Sequence, residues 1–134
     1  MLTTLADFRY VLRHFLQFSE QAALEAGIQP QQHQLMLQVA GANPANATTV
    51  AYVAERLGLK HNSAVELVDR SEHEGLVVRE EDPADRRRAI VRLTRKGERL
   101  LDRLAGDHAR ELTVMAARLI ENLERVRRHA TEEQ

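Results

Sequence analysis

Basic residues concentrate in one short segment of this 134-residue chain. Residues 86–99 contain seven basic side chains and one acid, a net charge of +6, although the whole chain has a net charge of −1. A polyanion such as nucleic acid is bound through a local basic footprint, so an acidic whole chain does not exclude it. A solvated charged face is the alternative interpretation. The seven basic residues are Arg86, Arg87, Arg88, Arg92, Arg95, Lys96 and Arg99.

A second group of polar side chains lies earlier, where His61, Asn62 and Ser63 begin a predicted helix over 62–74. Asparagine can pair with adenine through two hydrogen bonds, and serine can bind a base or a phosphate. The alternative is that Asn62 caps the helix. Glu66, one turn further on, could accept a hydrogen bond from cytosine N4 or repel phosphate, and the sequence favours neither.

These residues need elements to position them, and apolar spacing predicts those elements. Ala54, Gly58 and the flanking leucines Leu57 and Leu59 have the spacing of two helices that cross at a tight turn. An Asp-Pro turn over 82–88 joins two β-branched runs into a predicted hairpin. Helices are predicted over 4–26 (capped by Thr3 or Thr4), 30–40, 50–57 (capped by Thr49) and 62–74, strands over 76–80 and 89–93, and a helical region from Thr94 to about Arg128, where Gly106 allows a bend or break.

In three segments the chain resembles the MarR family of bacterial transcriptional regulators. They are VAERLGL (53–59), LVDR followed by EGLVVRE (67–80) and DPADRRRAIVRLTRKG (82–97), and the last is similar to the family's wing signature. The order of predicted elements matches as well, so the likeness extends over nearly the whole chain. The terminal helices match by pattern only.

The resemblance implies a mainly α fold with a small β-hairpin wing: a winged helix-turn-helix with terminal dimerisation helices. It implies one domain over 1–134, with a DNA-binding lobe over 30–93 and dimerisation helices over 1–29 and 94–134. It also implies a homodimer that binds a pseudo-palindromic site in double-stranded DNA, acting as a repressor that a small-molecule effector releases.

By the same resemblance, Arg87 at the hairpin tip enters the minor groove and Asp85 braces it. Arg86 and Arg88 are expected to bind phosphate or Asp82. Three positions depart from the family pattern: Lys60 replaces a common capping serine, Glu66 a polar or basic residue, and Ser71 a core leucine. The residues predicted to contact DNA are Lys60, His61, Asn62, Ser63, Glu66, Arg70, Asp85, Arg86, Arg87 and Arg88.

Four of the five aromatic residues fall on the first predicted helix. Core and dimer packing is one interpretation of this cluster. The other is an effector site, because members of the resembling family hold small ligands beside these helices and aromatic walls suit aromatic or phenolic molecules. The residues predicted to line it are Phe8, Phe15 and Phe18.

Several kinds of chemistry are not expected of this sequence. Without cysteine it has no disulfide, thiolate zinc site or iron–sulfur ligand. The six histidines show no i, i+4 pair, so no metal site is predicted. We find no phosphate-binding glycine loop and no nucleophile motif, so neither an enzyme nor a cofactor is predicted.

The sequence also bears on location and on alternative roles. It has no apolar run of 18 residues and no signal-peptide pattern, so a soluble cytoplasmic protein without membrane contact is expected. Two other functions stay open: a winged helix that binds protein, and a non-specific architectural DNA-binding protein. The first has no need of the basic segment, and the second usually has a basic whole chain.

Overall fold

The computed structural model describes residues 1–133, which form five helices and one two-stranded antiparallel sheet. The predicted class, mainly α with a small hairpin, is confirmed. Within these residues no helix combines the length and apolarity that crossing a bilayer requires. In chain order the elements are α1 (Leu2–Glu25), α2 (Pro30–Ala40), α3 (Val50–Leu57), α4 (His61–His73), β1 (Val77–Glu81), β2 (Ala89–Leu93) and α5 (Arg95–Glu132).

The contacts divide the chain into two compact units. One, here called the lobe, is Ala23–Arg103; the other, the terminal unit, is Met1–Ala22 together with Leu104 and the residues after it. The lobe therefore takes the last turn of α1 and the first turns of α5, beyond the limits of 30 and 93 predicted for it. Ala23 and Ile28 belong to its core and are buried.

The lobe's helix-turn-helix has the predicted local signals in place. The Thr49 hydroxyl oxygen accepts a hydrogen bond from the Tyr52 backbone N–H at 3.1 Å and so caps α3. Gly58 ends α3 with φ +66°, a conformation that residues with a Cβ rarely adopt. The Leu59 N–H then donates to the Ala54 carbonyl oxygen at 2.9 Å, which closes the turn. The turn fixes where α4 begins.

The hairpin pairs Val77 with Leu93 and Glu81 with Ala89 at its two ends. A third segment joins it, because the Val91 N–H donates to the Thr48 carbonyl oxygen at 2.8 Å and the Thr48 hydroxyl donates to the Val91 carbonyl at 2.7 Å. Val77 and Val91 are fully buried, so the base of the hairpin is part of the core. Its turn projects away from that anchored base.

α5 begins with a close approach to Leu76, the residue before β1. The Thr94 N–H donates to the Leu76 carbonyl oxygen at 3.0 Å, and the Thr94 hydroxyl accepts from the Gly97 N–H at 3.0 Å, so Thr94 caps α5. From Arg95 the helix continues through Gly106 to Glu132 without interruption. Gly106 therefore does not break the helix, which was one of the two outcomes predicted for it. A single glycine costs a helix about 1 kcal/mol, which strong helix formers on both sides offset.

The terminal unit ties α1 to α5 through polar side chains. Asp7 accepts hydrogen bonds from Arg118 and, at 2.8 Å, from the buried Asn122 amide. These two donors, Arg118 first, hold the pKa of Asp7 below its usual value. Further along, His108 Nε2 lies 2.8 Å from the Ser19 hydroxyl oxygen. The start of α1 was predicted wrongly: the helix begins at Leu2, so Thr3 and Thr4 lie inside it and do not cap it.

Ser71 is buried in the lobe core, at the position where the family pattern has leucine. Its hydroxyl oxygen has no hydrogen-bond partner among the described residues. A buried polar group without a partner loses its hydration and gains nothing in return.

We therefore expect Ser71→Ala to raise the free energy of unfolding by about 1 kcal/mol, because it removes the unpaired hydroxyl and favours helix. Urea denaturation followed by circular dichroism measures this. Ser63→Ala, an exposed serine of the same helix, is the control for helix propensity alone. A gain at Ser71 no larger than that at Ser63 would show that the buried hydroxyl costs nothing.

Candidate nucleic-acid interface

The first turn of α4 presents a row of exposed polar side chains. Lys60 is the N-cap residue and its side chain makes no capping hydrogen bond, so the alternative in which Asn62 caps the helix is wrong. His61, Asn62 and Ser63 follow it and are exposed. Within residues 1–133 the side chains of Asn62 and Ser63 form no hydrogen bond, which leaves their donors and acceptors available to a ligand. Their contact with DNA stays a prediction.

The exposed face of α4 continues past this turn. Glu66, Asp69, Arg70 and His73 are exposed, while Ala64, Leu67, Val68 and Ser71 face the core. Glu66 lies one turn after Asn62, and Arg70 one turn after Glu66. Asn62, Glu66 and Arg70 thus form one strip along the helix.

The turn that joins β1 to β2 is held by a buried carboxylate. Asp82 is 5% exposed; one of its oxygens accepts from the Ala84 N–H at 2.9 Å and the other from Arg88 Nε at 2.6 Å. These hydrogen bonds, the backbone one first, keep the pKa of Asp82 below its usual value. The predicted pairing of Arg88 with Asp82 is confirmed. Arg88 therefore shapes the turn.

Arg87 and Asp85 form the outermost pair of the turn. The Asp85 carboxylate accepts from Arg87 Nε at 3.0 Å and from the Arg87 backbone N–H at 3.1 Å. These bonds, the guanidinium first, lower the pKa of Asp85. The Arg87 side chain is still 91% exposed. Asp85 thus orients a guanidinium that projects into solvent, so the predicted bracing bond is present; its role in the minor groove stays a prediction.

The charge of this surface differs from what the basic segment alone predicted. Residues 60–85, just before it, hold eight acids and three bases, so 60–99 has a net charge of only +1. The fold brings the two segments together: Arg86 lies 3.7 Å from Glu81, and Arg92 Nε donates to Glu80 at 2.7 Å. Every arginine between 79 and 92 lies within ion-pair distance of a carboxylate. The segment of net charge +6, residues 86–99, begins immediately after the acidic residues that balance its charge.

Arg79, which was not among the predicted site residues, connects the hairpin to α4. Its guanidinium donates to Glu72 at 3.0 Å and to Asp69, and its backbone N–H donates to the other Glu72 oxygen at 3.0 Å. Because Asp69 and Glu72 are three residues apart, both face β1 from one side of α4. That spacing, opposite an arginine on the next element, was the signal in the sequence. The contact fixes the hairpin relative to the helix.

The helix-turn-helix and the hairpin also occur in known proteins. Residues 26–88, which include the helix-turn-helix and most of the hairpin, match the model of the MarR family. This segment belongs to the MarR family. The predicted recognition is thereby confirmed, and the hairpin is the wing of a winged helix.

Individual relatives extend the likeness over most of the chain. "Putative transcriptional regulatory protein for hcr operon" of Thauera aromatica is 32% identical over 105 residues, 78% of this chain, although the match spans only 61% of that relative, less than two thirds of its length. A MarR family protein from Bacillus stearothermophilus is 25% identical with a TM-score of 0.70, covering 93% of this chain and 88% of its own. The S. aureus MepR–DNA complex shares the fold, with a TM-score of 0.73, 20% identity, and 94% and 92% of the two chains covered.

The residues predicted to bind an effector lie on α1, before the segment that matches the family model. Phe15 and Phe18 are half-buried and both meet His108 edge-on, with ring centroids 5.8 and 5.2 Å away. Phe8 is half-buried two turns earlier. The structure thus brings Phe15 and Phe18 together around an imidazole. That they bind an effector stays a prediction.

Proposed function

We propose that this chain is a homodimeric, sequence-specific DNA-binding transcriptional regulator, a repressor that leaves its site when a small ligand binds. In this proposal α4 lies in the major groove with Lys60–Ser63 towards the base edges, and the tip of the wing reaches the adjacent minor groove. The observation that carries it is the Asp85–Arg87 pair: a solvent-exposed guanidinium, oriented by a carboxylate, at the tip of the wing. Narrow minor grooves have enhanced negative potential and attract such a group.

The charge balance favours specific over non-specific binding. A protein that binds any DNA relies on unpaired cations that neutralise phosphates. Here the wing arginines are balanced by carboxylates, so long-range attraction to DNA is weak. Affinity then has to come from geometry at a matching site, and this argues against an architectural DNA-binding protein.

The terminal unit supports a homodimer. Its helices expose large apolar side chains, among them Leu2 at 82% and Val114 at 80%. Large apolar side chains left exposed on both helices of one unit indicate a protein interface. The others in this unit are Met1, Leu5, Tyr10, Leu16, Leu112, Ile120 and Leu123.

The aromatic cluster of α1 supports the ligand. Phe15 and Phe18 are half-buried aromatic rings beside the polar His108, a combination that fits an aromatic or phenolic molecule. Release of the DNA by such a ligand would complete the repressor cycle.

Arg87→Ala tests the proposal. We expect it to weaken binding to DNA from upstream of the protein's own coding sequence by about tenfold or more, and by more when the flanks are A·T-rich than when they are G·C-rich. Asp85→Ala should show a smaller loss of the same kind, because the guanidinium keeps its charge but loses its orientation. Fluorescence anisotropy with two duplexes that differ only in their flanks measures both.

Arg86→Ala is the matched control, since Arg86 is similarly exposed but only loosely paired. It should weaken binding equally on both duplexes and lower the salt slope by about one. Arg88→Ala is a poor control because it leaves the buried Asp82 carboxylate without its charged partner, with only the Ala84 N–H as a donor. Equal losses for Arg86 and Arg87 on both duplexes would contradict the assignment of Arg87 to the minor groove.

A further inference from the structure

Among the carboxylates of α4 and the wing, one differs from the others because it has no hydrogen-bond or ion-pair partner in residues 1–133. α4, its C-cap residue and the wing carry eight carboxylates, and seven accept a hydrogen bond or pair with an arginine. Glu66 has no partner within the described residues. The seven with partners are Asp69, Glu72, Glu74, Glu80, Glu81, Asp82 and Asp85.

Glu66 also occupies the middle of the exposed strip of α4. It is exposed, one turn after Asn62 and one turn before Arg70. A recognition helix reads base edges with the residues of its N-terminal half, and Glu66 is the sixth of the thirteen residues of α4. Its side chain therefore belongs to the part of the helix that would face bases.

The chemistry of a free carboxylate limits which base it can face. An ionised carboxylate only accepts hydrogen bonds. In the major groove guanine offers two acceptors, thymine an acceptor and a methyl group, and adenine an acceptor beside a donor, whereas cytosine offers the N4 amino donor alone. A carboxylate is thus repelled by guanine and thymine, is partly opposed by adenine N7, and is satisfied by cytosine.

We propose that Glu66 is a specificity-determining residue that selects cytosine at one symmetric pair of positions in the operator. The inference rests on the proposed function, because it needs α4 in the major groove. An unpaired carboxylate at a DNA surface repels phosphate unless a donor compensates it. The cytosine amino group supplies that donor. Glu66 therefore favours cytosine over the other three bases at the position that it faces.

Selection of binding sites from a pool of random duplexes tests this inference. The wild-type protein, Glu66→Gln and the control Glu98→Gln are each used, and Glu98 is an exposed carboxylate on α5, outside α4 and the wing. We expect the wild type and Glu98→Gln to enrich the same palindrome with cytosine at one symmetric position. Glu66→Gln should enrich adenine there, because a carboxamide pairs with both adenine N6 and N7.

Anisotropy on the selected duplex measures the size of the effect. Replacing that cytosine by guanine should weaken wild-type binding about tenfold or more, and binding by Glu66→Gln less than threefold. Identical preferences for the wild type and Glu66→Gln would overturn the inference and leave the proposed function intact. A uniform gain in affinity by Glu66→Gln, without a change of base, would also overturn it, since Glu66 would then only repel phosphate. If the wild type enriches no sequence, both the inference and the proposed function fail.

Discussion

Replacing Gly97 with alanine should lower the free energy of unfolding by about 2 kcal/mol, even though alanine normally favours a helix. A Cβ at position 97 would lie 2.2 Å from the Leu76 carbonyl oxygen and 3.2 Å from its carbonyl carbon. Leu76 is buried, and its carbonyl oxygen already accepts from the Thr94 N–H, so this backbone cannot move aside without losing the start of α5. The overlap outweighs the gain in helix propensity.

Gly106→Ala is the matched control for this prediction. Gly106 lies in the same helix, and the nearest atom to its added Cβ is the flexible Arg110 side chain at 3.6 Å. This substitution should raise the free energy of unfolding by roughly 0.5–1 kcal/mol. Urea unfolding of the two variants should therefore give shifts of opposite sign. Stabilisation by both would show that α5 does not depend on the close approach to Leu76.

The elements that sequence could predict are those with local signals. Thr49 caps α3 and Gly58 ends it because a capping hydroxyl and a positive φ are requirements of single residues. The hairpin was predicted because two β-branched runs flank a turn that begins with Asp-Pro. Within it, Asp85 and Arg87 are two residues apart, so their hydrogen bond is also local.

The features that sequence reasoning missed depend on contacts between elements. Arg79 meets Asp69 and Glu72 only because the fold sets β1 beside α4. The pairs of Arg86 with Glu81 and of Arg92 with Glu80 were missed for a related reason: the charge of residues 86–99 was counted without residues 80–85, which the hairpin folds back onto it. Burial of Ser71 was implied by the resemblance, which places a core leucine there, but whether its hydroxyl finds a partner depends on the surrounding core.

The second large effect concerns the spacing of the DNA site. If two copies of α4 bind successive major grooves, half-sites lie about one helical turn, roughly 10 base pairs, apart. Inserting about five base pairs between them turns one half-site to the opposite face of the DNA. We expect this insertion to weaken binding on the order of 100-fold, because only one lobe of the dimer can then engage. Anisotropy on the two duplexes measures the loss.

Two controls separate this expectation from trivial causes. Changing the sequence of the spacer at constant length should alter affinity far less, because the half-sites keep their relative orientation. Light scattering of the free protein should give twice the chain mass of 15.2 kDa, since the apolar side chains that α1 and α5 expose would be covered in a dimer. A dimer that binds the lengthened site as tightly as the original would show that its two lobes do not read DNA as a fixed pair. A monomer in solution would show that a second copy does not cover the exposed apolar side chains of the terminal unit. The expectation of a symmetric DNA site would then be wrong, because it needs two copies of α4 related by two-fold symmetry.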